Sequence, residues 1–348
     1  MVLDKMSKLI PALTVFTLLI SLASISAEST PLVINDALGR NVELTRHPTR
    51  IVSLAPSITE TLFELNAQQY IIGADDFSLE DWYLNIGKVL KEQNTTSVGG
   101  YWWSMVSVEK ILSLNPDIVL ADKGAHKPLL DVFQSYNVTV VYLNGGSARS
   151  VNDVLSDIYL LGELFNSTVE AQALVDRLIK SLEEGRMLLE KYHGLRVLVV
   201  VDFWQGIWVA GRATYVDDIL ARLGLSNAAS TFGWSAVSIE KIHEWKPDII
   251  MIAAPYASRD TIEEAGLLDL GVPVIVLDRE KVDILSRPGP MMVKIPEILD
   301  EALAEAFDSS KPVTAPVQDY GFAINFTFII LLAGLALAFA IGYYIGRR

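Results

Sequence analysis

The sequence predicts an α/β fold of two lobes, each built on a central, mostly parallel sheet flanked by helices, with one long rigid α-helix joining them. Three observations carry this expectation. Short β-branched runs alternate with helical patterns along a chain of 348 residues, and that alternation builds parallel sheets from βαβ crossovers. The runs form two groups separated by a single long amphipathic stretch. A sequence segment also recurs, once in each half, at a constant offset of 131 residues, as a duplicated structural unit would.

Taken in chain order, Lys5 and Lys8 precede an apolar run from Leu9 to about Ala23, and the small residues Ser24, Ser26 and Ala27 follow. That layout is a secretory signal over residues 1–27, with the mature chain starting near Glu28. The first lobe, 28–165, carries strand-like runs at 51–54, 118–121 and 138–143. The connector, 166–194, opens with Ser167-Thr168-Val169-Glu170, a capping-box pattern, and closes before Gly194. Between them Ala171, Leu174, Leu178, Leu182, Gly185 and Leu189 are spaced by three or four, so one face is apolar. A helix of about 26 residues reaches roughly 39 Å, and a single stiff connector predicts small hinge motion. The second lobe, 195–307, carries runs at 197–201, 249–253 and 274–277. A polar, proline-bearing spacer follows over 308–325.

Residues 326–345 are almost wholly apolar, and about 20 residues at 1.5 Å each cover the roughly 30 Å hydrocarbon layer. A transmembrane helix over 326–346 is expected. Arg347 and Arg348 place its C-terminus in the cytoplasm and everything before it outside. Both ends thus predict a chain held at the extracellular face of the membrane by one C-terminal span. Sequons at Asn94, Asn137 and Asn166 are compatible with that location.

Composition narrows the function. The chain carries 28 Lys+Arg against 42 Asp+Glu, a net charge of -14, which argues against nucleic acid as a partner. It contains no cysteine, so disulfides, thiolate metal sites, a cysteine nucleophile and a lipid-modified cysteine are excluded. Its histidines, His47, His126, His193 and His243, are far apart in sequence, a poor basis for capturing a bare metal ion. An axial contact from His126 to a chelated metal is weighed against a solvated loop histidine, and the solvated reading is favoured. No nucleophile elbow, phosphate-gripping glycine loop or metal pair is found. Ser57 reads as the N-cap of a helix starting near Ile58, and no spacing argument joins Asp75, Asp76 and Asp81 as an acid pair. No enzyme and no cofactor are expected; a surface-anchored hydrolase is the alternative from another class.

The repeat is the most informative feature. Trp103-Ser104-Met105-Val106-Ser107-Val108-Glu109-Lys110-Ile111, continuing to Pro116-Asp117-Ile118, recurs as Trp234-Ser235-Ala236-Val237-Ser238-Ile239-Glu240-Lys241-Ile242, continuing to Pro247-Asp248-Ile249. Each lobe is expected to carry a loop with tryptophan, a serine N-cap, a glutamate in the first helical turn and a Pro-Asp turn into a strand. Related lobes create a cleft, and ligands of open α/β sheets sit outside the carboxyl ends of strands. Trp103 and Trp234 are either core residues or walls of that cleft. The run Gly99-Gly100-Tyr101-Trp102-Trp103 favours a wall, because a core strand turns alternate side chains to opposite faces. Aromatic faces suit a large, flat ligand.

Arg50-Ile51-Val52-Ser53-Leu54-Ala55-Pro56-Ser57-Ile58-Thr59-Glu60-Thr61-Leu62, Ile72-Gly73-Ala74-Asp75-Asp76-Phe77, the Val98-Gly99-Gly100 loop, the two Ser-x-Glu-Lys-Ile helices and Ser286-Arg287-Pro288-Gly289-Pro290 together resemble the single-helix-linker class of periplasmic binding proteins. That class serves vitamin B12, haem and ferric-siderophore importers. The resemblance covers roughly residues 32–307 and is nearest to the cobalamin-binding branch. It implies the substrate-binding component of an ABC importer, taking a corrinoid or related metal chelate between the lobes and passing it to a permease with its ATPase subunits. A ferric siderophore or haem is the alternative ligand. Phe77 stands where that branch carries an aromatic against the corrin. The ligand contacts expected are Phe77, Tyr101, Trp102, Trp103, Phe203, Trp204, Trp234 and Arg287. The resemblance implies that Glu109 and Glu240 form salt bridges to permease arginines. Met291 departs from the arginine many relatives carry there. Arg212, Arg259 and Arg279 are read as surface charges, unless two of them converge to hold ligand carboxylates.

Overall fold

The computed structural model describes residues 31–307. They form two compact units, one of residues 31–180 with Arg287–Met291, the other of Ser181–Ser286 with the residues from Met292 on. The expected signal 1–27, spacer 308–325 and membrane helix 326–346 lie outside the described residues. Among the described residues, no helix is long and apolar enough to cross a membrane.

Unit 1 begins with an antiparallel hairpin of β1 (Leu32–Asn35) and β2 (Asn41–Leu44). Its main sheet holds β3 (Ile51–Ser53), β4 (Ile71–Ala74), β5 (Thr96–Ser97), β6 (Ile118–Asp122) and β7 (Val140–Leu143). All five are parallel, in the order β5-β4-β3-β6-β7. The first strand is therefore central, and the winding reverses between β3 and β6, the place where open sheets of this kind leave a crevice at their carboxyl edge. Strands β3, β6 and β7 are buried at every position, as expected of strands covered on both faces. Val52, Leu54, Ile111, Val119, Phe133 and Tyr142 form the core.

Unit 2 is a mixed sheet. β8 (Arg196–Asp202), β12 (Ile249–Ile252) and β13 (Val274–Val276) run parallel, and the short β10 (Ser226–Asn227) pairs parallel with the start of β8. β9 (Ile207–Ala210) and β11 (Trp234–Val237) complete the order β11-β9-β8-β12-β13 as an antiparallel ribbon. Leu198, Val200, Val209, Ile242, Ile250 and Ile252 form its core.

The connector is a helix over Thr168–Leu188, shorter than its sequence pattern suggests. A 3-10 turn at Glu190–Tyr192 and Gly194, at φ +78°, carry the chain into β8. The boundary between the units falls inside this helix. Because Arg287–Met291 belongs to unit 1, the chain also passes between the units before Arg287 and after Met291. The helix is thus not the sole covalent connection.

The duplicated Pro-Asp segment has a common structural task. The repeated helices, Val108–Leu114 and Ile239–Trp245, both end on a left-handed residue, Asn115 and Lys246, followed by Pro116 and Pro247. Asp117 Oδ2 accepts the backbone N–H of Arg50 (3.1 Å) and Asp248 Oδ2 that of Arg196 (2.8 Å). The same arginines return the favour to the helix ends: Arg50 donates to the carbonyls of Leu114 and Asn115, and Arg196 to that of Trp245. Carbonyls orphaned at a helix end need such donors, so each arginine welds a repeated helix to the first strand of its sheet.

Candidate functional site

The carboxyl edge of the unit 1 sheet carries the aromatic loop. Gly99, at φ +107°, and Val106 form an isolated antiparallel bridge. The N–H of Gly100 donates to Met105 C=O (3.2 Å) and that of Ser107 to Val98 C=O (2.8 Å), closing the base of the loop. A Cβ on Gly99 would stand 2.1 Å from Met105 O, so this turn requires glycine. At the tip Trp102 and Trp103 are 57% and 49% exposed. Phe77, in the short helix Asp76–Leu79 after β4, is 39% exposed. It is tied to the loop by Asp76, whose N–H donates to Gly99 C=O (2.8 Å) and whose carboxylate accepts the Ser97 hydroxyl (2.5 Å). Phe77, Tyr101, Trp102 and Trp103 are therefore brought together on one edge.

Behind them Tyr101 is half-buried, and its hydroxyl donates to Asp122 Oδ2 at the end of β6 (2.6 Å). His126 is fully buried. Its Nδ1 accepts the Asp122 N–H (3.0 Å) and its Nε2–H donates to Tyr101 C=O (2.6 Å). It is neither an axial metal ligand nor a solvated loop histidine, since both ring nitrogens are spent inside the unit.

Unit 2 departs from the repeat. Trp234 is not in a loop: it opens edge strand β11 and pairs with Ala210, the last residue of β9. Its ring lies 5.9 Å from that of the buried Tyr215. Phe203 and Trp204 occupy the turn between β8 and β9, at the other end of that ribbon. Trp204 is 66% exposed, and its carbonyl accepts Trp208 Nε1–H (2.7 Å). The structure thus places Trp234 and Trp204 at opposite ends of the same strands, with Trp234 partly a packing residue.

The two expected docking glutamates open equivalent helices, and both are exposed. Their serines differ. Ser107 caps the amide of Lys110 (3.4 Å), whereas Ser238 makes no cap bond. Ser238 instead hydrogen-bonds the Glu240 carboxyl and holds it below the usual carboxylate range. Ser57 is not an N-cap either; the helix Pro56–Glu64 is capped at Ala55 and Ser57 is buried inside it.

Arg287, expected as a ligand contact, lies in a cluster of buried ion pairs. Its Nη1 lies 3.0 Å from both Glu60 Oε1 and Asp81 Oδ2, with its side chain 12% exposed and both carboxylates fully buried. The sequence gives no sign of this cluster, whose members are 227 and 206 positions apart. Burial pushes the Glu60 carboxyl up to about 8; the Arg287 charge opposes this and Asp81 reinforces it. Glu60 Oε2 is buried without a hydrogen-bond partner, which a protonated carboxyl tolerates better than a carboxylate. Burial likewise raises Asp157 to about 7 and the helix cap Asp75 to about 6. The folded state keeps a proton on Glu60 that the unfolded chain loses above its ordinary value of 4.5. The stability this supplies is complete below that value and is lost as pH rises through about 8. Urea unfolding between about pH 5 and about pH 8 will show stability falling with pH. Glu60→Gln will flatten much of that slope, and an unaltered slope would remove Glu60 as its source.

A cavity of about 10 Å³ lined by Ser57, Thr61, Gly145, Asp157 and Pro288 has room for no more than a water. Among the described residues no cluster of His, Asp or Glu is placed to hold a metal ion. Arg212 is engaged by the carbonyl of Ser230 (2.8 Å).

Residues 51–265 match the periplasmic binding protein family model. An ABC transporter substrate-binding lipoprotein of Bacillus subtilis, itself uncharacterised, is 26% identical over 81% of this chain and 88% of its own length. A vitamin B12-binding protein of Pectobacterium atrosepticum is 24% identical over 74% of this chain and 89% of its own. Among solved structures, the periplasmic haem-binding protein of Roseiflexus superposes with a TM-score of 0.57 at 23% identity, covering 74% of this chain and 98% of that one.

Proposed function

We propose, from the premise that the chain belongs to the periplasmic binding protein family, that it is the extracytoplasmic substrate-binding component of an ABC importer and that it binds a corrinoid or a related flat metal chelate. The observation that carries this reading is the row of exposed aromatics, Phe77, Trp102 and Trp103, fixed at the carboxyl edge of the unit 1 sheet by a closed loop. Such faces contribute apolar burial and stacking to a macrocycle, while a bare ion would need clustered donors. In unit 2 the proposed ligand residues are Phe203, Trp204 and Trp234. Arg287, the remaining proposed ligand residue, is held by its ion pairs with Glu60 and Asp81.

The names of the relatives support the class and divide on the ligand, since one is called B12-binding and another haem-binding. A corrinoid is preferred because the curated relative named for its ligand is a vitamin B12-binding protein. Haem or a ferric siderophore is the second reading. The Bacillus relative is named a lipoprotein, but this chain has no cysteine to carry a lipid. The anchor proposed is the apolar segment 326–346, with residues 28–325 at the extracellular face and the C-terminus in the cytoplasm. Glu109 and Glu240 are proposed to meet arginines of the permease, as the family resemblance implies.

Isothermal titration of the purified protein with cyanocobalamin, haemin and a ferric siderophore tests the reading. Saturable binding of cyanocobalamin, tighter than either of the others, is expected. Preference for haemin or the siderophore would shift the ligand within the class, and binding of none of the three would overturn the proposal.

A further inference from the structure

We infer that Tyr101, Asp122 and His126 are positioning residues for ligand capture, locking the aromatic loop so that Trp102 and Trp103 are presented from a fixed base. The inference rests on the proposed function for its purpose, and on hydrogen-bond geometry for its content.

The Asp122 carboxylate is rooted in the sheet and saturated from three directions. Oδ2 accepts the Tyr101 hydroxyl (2.6 Å) and the Gly146 N–H (2.7 Å); Oδ1 accepts the N–H of Gly124 (2.6 Å) and Ala125 (3.3 Å). The approach is so close that a Cβ on Gly145 would stand 2.4 Å from Oδ2, and one on Gly146 would stand 2.9 Å from the Tyr101 hydroxyl. His126 grips the same tyrosine by its carbonyl (2.6 Å). The Tyr101 ring stands edge-on between His126 (5.6 Å) and Trp102 (5.3 Å). Tyr101 is thus held at both ends and passes its orientation to the indole beside it. Trp102 and Trp103 are too exposed to be fixed by core packing.

The lock requires neutral His126 with its proton on Nε2. A second proton would place an N–H at Nδ1 against the N–H of Asp122, and that bond would break. The ionisable groups around it are Asp122 at the end of β6, Tyr101 from the loop, Tyr142 from β7 through its hydroxyl on His126 C=O (3.1 Å), and Lys123 and Lys127 flanking it in sequence. Asp157 acts on Asp122 from the helix Val151–Leu164. Burial holds His126 below its ordinary pKa, with Asp122 opposing. The unfolded or opened loop therefore takes up the proton first as pH falls, and acid loosens the loop.

Amide hydrogen exchange of the full chain reads this without any ligand. Near neutral pH, Tyr101→Phe and His126→Gln are expected to speed exchange across residues 99–106 by about tenfold, with β3 and residues 118–121 of β6 unchanged. In the wild type, exchange there, corrected for the intrinsic effect of pH, should quicken as pH falls below the ordinary histidine value of 6.5, and His126→Gln should abolish that step. Equal protection in both variants, or a wild-type profile flat with pH, would overturn the inference; the pH arm needs no substitution, so a variant that fails to fold does not blunt it. Adding cyanocobalamin or haemin separates the two readings. A loop that loosens as stated in a protein that binds neither chelate sinks the function and leaves the lock. Full affinity in Tyr101→Phe with unchanged loop protection sinks the lock alone.

Discussion

Arg287→Met will lower the stability of the protein by about 3–5 kcal/mol, the usual consequence of removing one partner from a buried ion pair. The arginine is the cation between Glu60 and Asp81, and both carboxylates are fully buried. Methionine approximates the length of the chain it replaces but leaves two acids to be neutralised by protons alone. The loss will grow with pH, because the Arg287 charge opposes the rise of the Glu60 pKa and its removal raises the work of ionising that group. Urea unfolding at about pH 5 and about pH 8 measures both effects. A change below about 1 kcal/mol would mean that the cluster is solvated in solution.

Reversing both Glu109 and Glu240 to lysine will reduce ligand uptake by cells to less than about a tenth of normal while binding by the purified protein stays within about twofold. Both side chains are exposed at the first turn of matched helices, so folding has little at stake beyond the helix-dipole contribution. Like charges facing a basic permease surface repel, and the penalty doubles when both units are altered. Uptake at the normal rate by the double variant, made in amounts equal to wild type, would remove these glutamates from docking. Binding lost along with uptake would place them in the ligand site instead.

Much of the architecture was legible because the physics acting on it is local. The runs around Val119, Val199 and Ile250 are β-branched and continuous, the pattern of strands covered on both faces, and they are interior strands of the two sheets. The strands that the pattern does not show are the hairpin β1 and β2, β4, interrupted by Gly73, the two-residue β5 and β10, and the ribbon of β9 and β11, in which β11 is fully buried at no position. The error at Trp234 is instructive. Two segments of matched sequence adopt different structures because their neighbours differ. Gly99 and Gly100 let the first copy turn on itself, whereas β9 offers the second copy an open edge to pair with. Side-chain partners were the least legible part. Tyr101 meets Asp122 across 21 positions and Arg287 meets Glu60 across 227, and no periodicity connects residues brought together by a crossover or a returning segment. His126 was invisible as a structural residue for the same reason, since its exposure depends on a loop that precedes it by 25 positions.

Titration of Trp102→Ala/Trp103→Ala with cyanocobalamin, run beside wild type, bears most directly on a receptor that grips its chelate with the aromatic edge of unit 1. The affinity is expected to fall at least about tenfold, since stacking faces contribute roughly 1 kcal/mol each beyond their buried area. The melting temperature should stay put, because both indoles are exposed. Undiminished affinity in a well-folded double variant would show that the ligand is held elsewhere.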